Sequence, residues 1–291
     1  MRDYVIMTDS CCDLNEQEVA ESGLCVVPLS FTLGGKSYYD TPDHAEMGLD
    51  EFYSRLKQGE QSVTAAANVA DYTDAMWPIL KAGKDILCVA FSSALSTTYQ
   101  SACIAAEEMR ADFPEAKIIV IDSLSASRGQ GLLVWTAAKQ KAKGLGIDEL
   151  ADWLREGIRH IDHWFTVDDL NHLRRGGRLN ATSAVIGTVL SIKPIMHCDA
   201  EGKLTPVSKA RGMKQALSGL VSKLEELGTP PLAEQTVFIC HADAPESVAL
   251  VKTMLAERCG ITDVRADYIG PVIGSHTGAG TLGVFFFGSA R

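Results

Sequence analysis

The chain has 291 residues, 46% of them hydrophobic and 22% charged, a composition that supports a packed core and argues against wholesale disorder. Its 27 Lys and Arg face 37 Asp and Glu, and the net charge of −10 disfavours non-specific binding to nucleic acid or to an anionic membrane surface, which both need positive potential. No apolar stretch is long enough to span a bilayer and no leader pattern opens the chain, so a cytoplasmic location without integral membrane association is expected.

Tyr4 to Thr8 reads as a buried strand, followed by a helix over Leu14 to Ser22 with Asp13 as its N-cap. Cys25 to Phe31 and Lys36 to Tyr39, joined through Gly34-Gly35, read as a β-hairpin. Helices are predicted near Leu49 to Lys57 and Val69 to Leu80. A strand over Ile86 to Phe91, a helix over Thr98 to Ala111 and a strand over Ile118 to Asp122 follow. Helical patterns then cover Gly131 to Lys143 and Ile147 to Ile161. Strands separated by helices predict a parallel, Rossmann-like sheet covered on both faces.

The second half begins with a short strand at Trp164 to Val167, then a helical turn capped by Asp168-Asp169 and ending at Gly176-Gly177. Ile192 to Cys198 and Leu204 to Lys209 flank the turn Asp199-Ala200-Glu201-Gly202 as a hairpin. A helix over Gly212 to Leu227 and a loop at Gly228-Thr229-Pro230-Pro231 come next. Then follow a strand at Val237 to Cys240, a helix at Pro245 to Glu257 and a strand at Val264 to Ile269. A glycine-rich loop and a last strand, Leu282 to Phe287, complete the pattern. The reading is a two-domain α/β protein: residues 1–162 as an N-terminal parallel-sheet domain, residues 163–291 as a smaller C-terminal α/β domain.

Several motifs fail on context. Gly35-Lys36-Ser37 lacks the upstream glycine of a phosphate-binding loop, because position 30 is Ser30, and it falls in a hairpin. Gly278-Ala279-Gly280-Thr281-Leu282-Gly283 matches GxGxxG, but no helix, second strand or ribose-binding acid follows it. His160 and His163 have helix-face spacing without further ligands, so solvated helix-end histidines are the expectation and no metal is expected. The eight cysteines include no CxxC pair, and Cys11-Cys12 reads as small residues at a tight strand end.

The informative pattern is a set of hydroxyl-rich segments at strand ends: Thr8-Asp9-Ser10, Ser62-Val63-Thr64, Ser92 to Ser101, and Asp122-Ser123 with Ser127 to Gly131. In a doubly wound sheet such loops form the ligand crevice, where helix N-termini and hydroxyls suit a small anionic head group. The second half adds Leu173-Arg174-Arg175-Gly176-Gly177-Arg178-Leu179-Asn180, Lys209-Ala210-Arg211 and Gly270 to Gly280. Three arginines around a Gly-Gly turn read either as a solvated loop or as a positive patch for a phosphate or an acidic partner.

Taken together, TDSCCDL at Thr8 to Leu14, FSSALSTTYQSA at Phe91 to Ala102, VIDSLSASRGQG at Val120 to Gly131, DDLNHLRRGGRLN at Asp168 to Asn180, LSIKPIM at Leu190 to Met196 and GPVIGSHTGAG at Gly270 to Gly280 resemble the DegV family of bacterial fatty-acid-binding proteins, in family order across nearly the whole chain. The resemblance implies two α/β domains of the EDD type enclosing a tunnel for one long-chain fatty acid. It implies no catalytic residue and no cofactor. The implied partner is a separate ATP-dependent fatty-acid kinase that makes an acyl phosphate. Carried over, the head-group candidates are Thr64, Ser92, Ser93, Ser96, Arg211, His276 and Thr277, with Arg174, Arg175 and Arg178 as the docking surface. The family's Thr-Ser-Gln-Pro-Ser-like stretch reads Thr64-Ala65-Ala66-Ala67-Asn68 here, which implies altered head-group binding. The rival readings are a hydrolase or phosphoryl-transfer enzyme using Ser93 or His276, and a lipid-sensing regulatory module.

Overall fold

A computed structural model describes residues 2–179 and 191–291; Asn180 and Leu190 of the motifs above lie outside them. The N-terminal half contains β1 (Tyr4–Asp9), α1 (Glu16–Ser22), β2 (Cys25–Val27), β3 (Leu29–Leu33), β4 (Lys36–Asp40), α2 (Leu49–Lys57), β5 (Ser62–Ala65), α3 (Val69–Lys81), β6 (Asp85–Ala90), α4 (Thr98–Asp112), β7 (Ile118–Asp122), α5 (Arg128–Ala142) and α6 (Ile147–Gly157). The C-terminal half contains β8 (Ile161–Thr166), α7 (Asn171–Arg175), β9 (Ile192–Cys198), β10 (Leu204–Arg211), α8 (Met213–Leu227), β11 (Val237–His241), α9 (Pro245–Cys259), β12 (Val264–Tyr268), α10 (Pro271–Thr277) and β13 (Leu282–Phe287).

The first sheet is parallel, in the order β2-β1-β6-β7. Side chains alternate along it, so its two faces enter two cores. Ile86 and Cys88 pack with residues of α3 and α4, while Leu87 and Val89 pack with residues of α5 and α6. The second sheet is mixed, in the order β10-β9-β8-β13-β11-β12. The architecture is the expected two-domain α/β one, and α5 lies between the sheets, touching β1 on one side and β8, β11 and β13 on the other. Its Gly129 permits that approach: a Cβ there would collide with the His163 imidazole.

Four local expectations change. Pro28 lacks an amide hydrogen, and the expected Cys25 to Phe31 strand divides there. β2 stays in the parallel sheet, while β3 joins β4 and β5 in a separate antiparallel sheet, β4-β3-β5. Asn15, not Asp13, caps α1, accepting from the Glu18 amide in a capping box. Asp13 sits in the left-handed region at φ 49° and turns its carboxylate towards the other half. His160 lies in a 3₁₀ turn, while His163 is buried in a strand rather than solvated at a helix end. The glycine-rich segment after β12 is α10, begun by Pro271 at its first position, where the missing amide costs nothing.

Two interactions bind the halves. Arg128, fully buried and held within the N-terminal half by a bidentate pair with Glu18 at 2.7 and 2.9 Å and a bond to the Asp13 carbonyl at 3.0 Å, stacks on Phe238 of the C-terminal half. At the start of α10, the Gly270 amide donates to Asp13 at 3.0 Å and the Val272 amide donates to Asp40 at 3.2 Å. The helix end supplies orphan donors and positive potential, and the carboxylates supply acceptors. Burial nevertheless raises Asp13 from its usual 3.8 to about 7 and raises Asp40 as well.

Removing one partner of a buried pair strands the other charge. Glu18→Ala is expected to lower unfolding free energy by about 3–5 kcal/mol in a urea titration. Folded Asp13 holds its proton more tightly than unfolded Asp13, so the stability it contributes is present below 3.8 and is lost as pH rises through about 7. Thermal melts across that window should show the wild type losing ground, with rising pH, relative to Asp13→Asn, which does not titrate.

Candidate functional site

The halves meet over a cavity walled by Phe91 and Leu95 from the N-terminal half and by Phe165, Leu173, Leu204, Val272 and Phe285 from the C-terminal half. Its free space of about 90 Å³ is several times what one water requires, so it is a cavity rather than a packing defect. Three polar side chains, Thr64, Arg178 and His276, line both this cavity and an outer, more polar vestibule edged by Gln61, Ser62, His172 and Arg175.

Each of the three arrives from a different element. Thr64 alternates with exposed neighbours along β5 and pairs with Phe31, so its hydroxyl faces inward. His276 occupies the last turn of α10, and its Nε2 lies 2.8 Å from the Thr64 hydroxyl. Among the described residues its Nδ1 has no hydrogen-bond partner, and it abuts Gly176, where a Cβ would collide with it. Arg178 follows the Gly176-Gly177 turn; its Nε donates to the Leu95 carbonyl at 3.0 Å and its Nη1 donates to the Gly176 carbonyl. Burial, reinforced by the Arg178 charge, pushes His276 down to about 4. At neutral pH the mouth therefore holds a neutral imidazole, a hydroxyl and one fixed positive charge, a donor set suited to a carboxylate.

The sequence-derived site residues divide. Thr64, Ser96, His276 and Thr277 line the cavity. Ser96 and Thr98 share a hydrogen bond at 2.8 Å, and Thr277 donates to the Ile273 carbonyl. Ser92 is not in the cavity wall: fully buried, it donates to the Gly202 carbonyl and ties the loop after β6 to the β9–β10 turn. Ser93 is exposed, with its amide donating to Asp122. Arg211 is exposed at the end of the edge strand β10, where its amide donates to Gln215, and it lines neither the cavity nor the vestibule. Arg174 and Arg175 are exposed on α7, with Arg175 donating to His172, whereas Arg178 turns from that surface into the cavity wall.

The Thr64 hydroxyl lies within hydrogen-bond reach of His276 Nε2, but among the described residues no carboxylate orients the imidazole through its Nδ1, and Ser93 is exposed rather than beside it. Cys11 and Cys12 are buried thiols held well above their usual range by desolvation. Among the described residues, no cluster of His, Cys, Asp and Glu is arranged to hold a metal ion, and no helix is long and apolar enough to cross a membrane.

A family model described as an uncharacterised protein of the DegV family matches residues 3–289. A DegV domain-containing protein of Clostridium perfringens is 41% identical over 291 residues, spanning 100% of this chain and 99% of the relative. The fold is similar to a DegV lipid-binding protein of Thermotoga maritima, with TM-score 0.87, 28% identity and 99% of both chains covered. It is also similar to a DegV-family protein of Thermus thermophilus described for its fatty acid binding, with TM-score 0.86 and 27% identity, covering 99% of this chain and 100% of the other.

The electrostatics of the mouth are open to direct titration. An NMR titration of ligand-free protein should place His276 near 4, and Arg178→Met should raise that value, because removing a neighbouring positive charge eases protonation.

Proposed function

The chain belongs to the DegV family, and on that footing we propose that it holds a long-chain fatty acid with its tail in the interdomain cavity and its carboxylate at Thr64, Arg178 and His276. The observation that carries this reading is the boundary itself: an apolar cavity closed by three polar side chains that also border a polar vestibule. The names of the Thermotoga and Thermus relatives support it. Burying each methylene contributes about 0.8 kcal/mol, so the tail supplies most of the affinity. The head group would otherwise oppose burial, and Arg178 offsets that desolvation. Ser96 and Thr277 contribute wall polarity near the head group, and the charge that the sequence assigned to Arg211 falls to Arg178.

The vestibule gives a second protein access to the carboxylate without removal of the tail. We assign the exposed Arg174 and Arg175 to docking of an ATP-dependent fatty-acid kinase that forms the acyl phosphate, in the cytoplasm, with the two domains dividing near residue 162. His276 favours binding over chemistry of its own: an imidazole pushed to about 4 is a weak base at neutral pH, and among the described residues no group orients its Nδ1.

Solvent extraction of purified protein followed by mass spectrometry should recover a long-chain fatty acid. The stripped protein should rebind stearic acid; protein that arrives empty and refuses stearic acid overturns the reading. Arg178→Ala should weaken that binding roughly 10- to 100-fold, the scale of a charged hydrogen bond, while Arg211→Ala stays within about twofold.

A further inference from the structure

Asp13 and Asp40, which hold the start of α10, belong to a larger ionisable cluster at the seam. A Cβ on Gly270 would lie 2.9 Å from an Asp13 oxygen and 3.0 Å from an Asp40 oxygen, so the two carboxyls converge on one residue. His44, in the connection after β4, places its Nδ1 3.6 Å from Asp40, and its side chain is 24% exposed. Asp267 of β12 accepts from the Asn15 side chain. Asp13, Asp40, His44 and Asp267 line, with Gly270, a void of about 20 Å³, room for one water.

The neighbouring cations are engaged elsewhere. Arg128 of α5 faces Asp13 but is paired with Glu18, and Arg265 of β12 lies 3.8 Å from that same Glu18. Tyr53, Cys12 and Cys240, buried near Asp13, are held by desolvation far above neutrality and keep their protons. Three groups are left to titrate. Burial raises Asp13 to about 7 and raises Asp40. Burial works against a charge on His44, but Asp40 beside it, with Asp13 and Asp267 behind, outweighs this and raises it above 6.5. All three therefore hold protons more tightly in the closed seam than in water, and closing the seam takes up protons. The contribution of Asp13 is complete below 3.8 and is lost as pH rises through about 7; that of His44 is complete below 6.5 and is lost above it. A protonated Asp13 keeps an oxygen for the Gly270 amide and turns its O–H to Ser127, whereas two ionised carboxyls repel each other across Gly270.

We propose that this cluster is a proton-operated latch, which holds α10 in place on the acid side of neutrality and loosens it on the alkaline side, so that bound fatty acid leaves faster as pH rises. The ligand half of this inference rests on the fatty-acid reading above. The mechanical link is short. α10 has seven residues, about 10 Å of helix; its first amides meet the two carboxyls, and its last turn carries His276, which meets Thr64 at the mouth. Loosening one end of so short a helix unseats the other. Each of the three groups gains negative charge or loses positive charge as pH rises, so their effects add.

The test follows release of cis-parinaric acid, a fluorescent fatty acid, from loaded wild-type protein into excess albumin. Release is expected to be roughly five- to tenfold faster at pH 8 than at pH 6, the linkage of a group that moves between 3.8 and about 7. In the double variant Asp13→Asn, His44→Asn the difference should shrink to within about twofold; asparagine accepts the Gly270 amide without titrating and tolerates the left-handed backbone of position 44, at φ 50°. Hydrogen exchange of the Gly270 and Val272 amides in ligand-free wild type, corrected for the chemical exchange rate, should lose protection by a similar factor between the same pH values. Equal release at both pH values, or a full pH effect surviving in the double variant as when His276 alone senses pH, overturns the latch while fatty-acid binding stands. Unchanged protection of the two amides overturns it as well, and needs no variant to fold. Protein that takes up no cis-parinaric acid at either pH counts against the fatty-acid reading, and the amide exchange then still decides the latch.

Discussion

Two carboxylates from one half of the chain hold the start of a helix from the other. Asp13 and Asp40 accept the amides of Gly270 and Val272, and Tyr53 donates to the Ile269 carbonyl just before them. The helix so anchored, α10, carries His276 in its last turn, where it meets Thr64 on a small sheet of the N-terminal half. The polar mouth is therefore built across the interdomain seam. Burial raises both carboxyls above their usual range, so this junction is electrostatically costly as well as directional. Within the N-terminal half, the bidentate Arg128–Glu18 pair fixes the guanidinium that stacks across the seam on Phe238.

Charge and greasiness are assigned to separate places along the cavity. Arg178 carries the fixed positive charge at one end, and its neighbour His276 is kept neutral by burial and, next to that, by the same charge. A mouth with two cations would attract anions of many kinds. One cation, one neutral ring and one hydroxyl suit a singly charged group whose tail continues into an apolar interior.

Much of the element order was legible because period and punctuation are local. β1, β6 and β7 are short apolar runs between helical patterns, and the β9–β10 turn announces itself through Asp199 and Gly202. The misreadings share a cause: the deciding partner is remote in sequence. Nothing near Asp13 shows that its carboxylate serves Gly270 rather than the first turn of α1. Pro28 breaks the strand around it, but only tertiary pairing shows that β3 leaves for another sheet. α10 has seven residues, with Gly274 inside it and Gly270 and Gly278 at its ends, too short for its period to stand out.

The site divides in the same way. Thr64, Ser96, His276 and Thr277 reach the cavity, whereas Ser92 and Ser93 share the Ser96 loop and point elsewhere, because neighbours in a turn diverge in direction. Arg178 was visible as part of a basic triplet. That it alone faces inward follows from the turn at Gly176-Gly177 and from its bond to Leu95. His163 read as a solvated helix-end residue because burial in β8 is a property of surroundings and not of spacing.

The pairing of β5 with β3 carries a consequence for how this surface can change over time. Along β5 the chain alternates, so Val63 is 69% exposed while Thr64 turns inward opposite Phe31. Because that alternation has a period of two, losing or gaining one residue in the connection from α2 exchanges the two faces in a single step. An isopropyl group then replaces a hydroxyl at the entrance while the rest of the molecule keeps its shape. Drift in that short connection is thus able to silence the entrance or restore it, without a substitution at any position that touches the ligand.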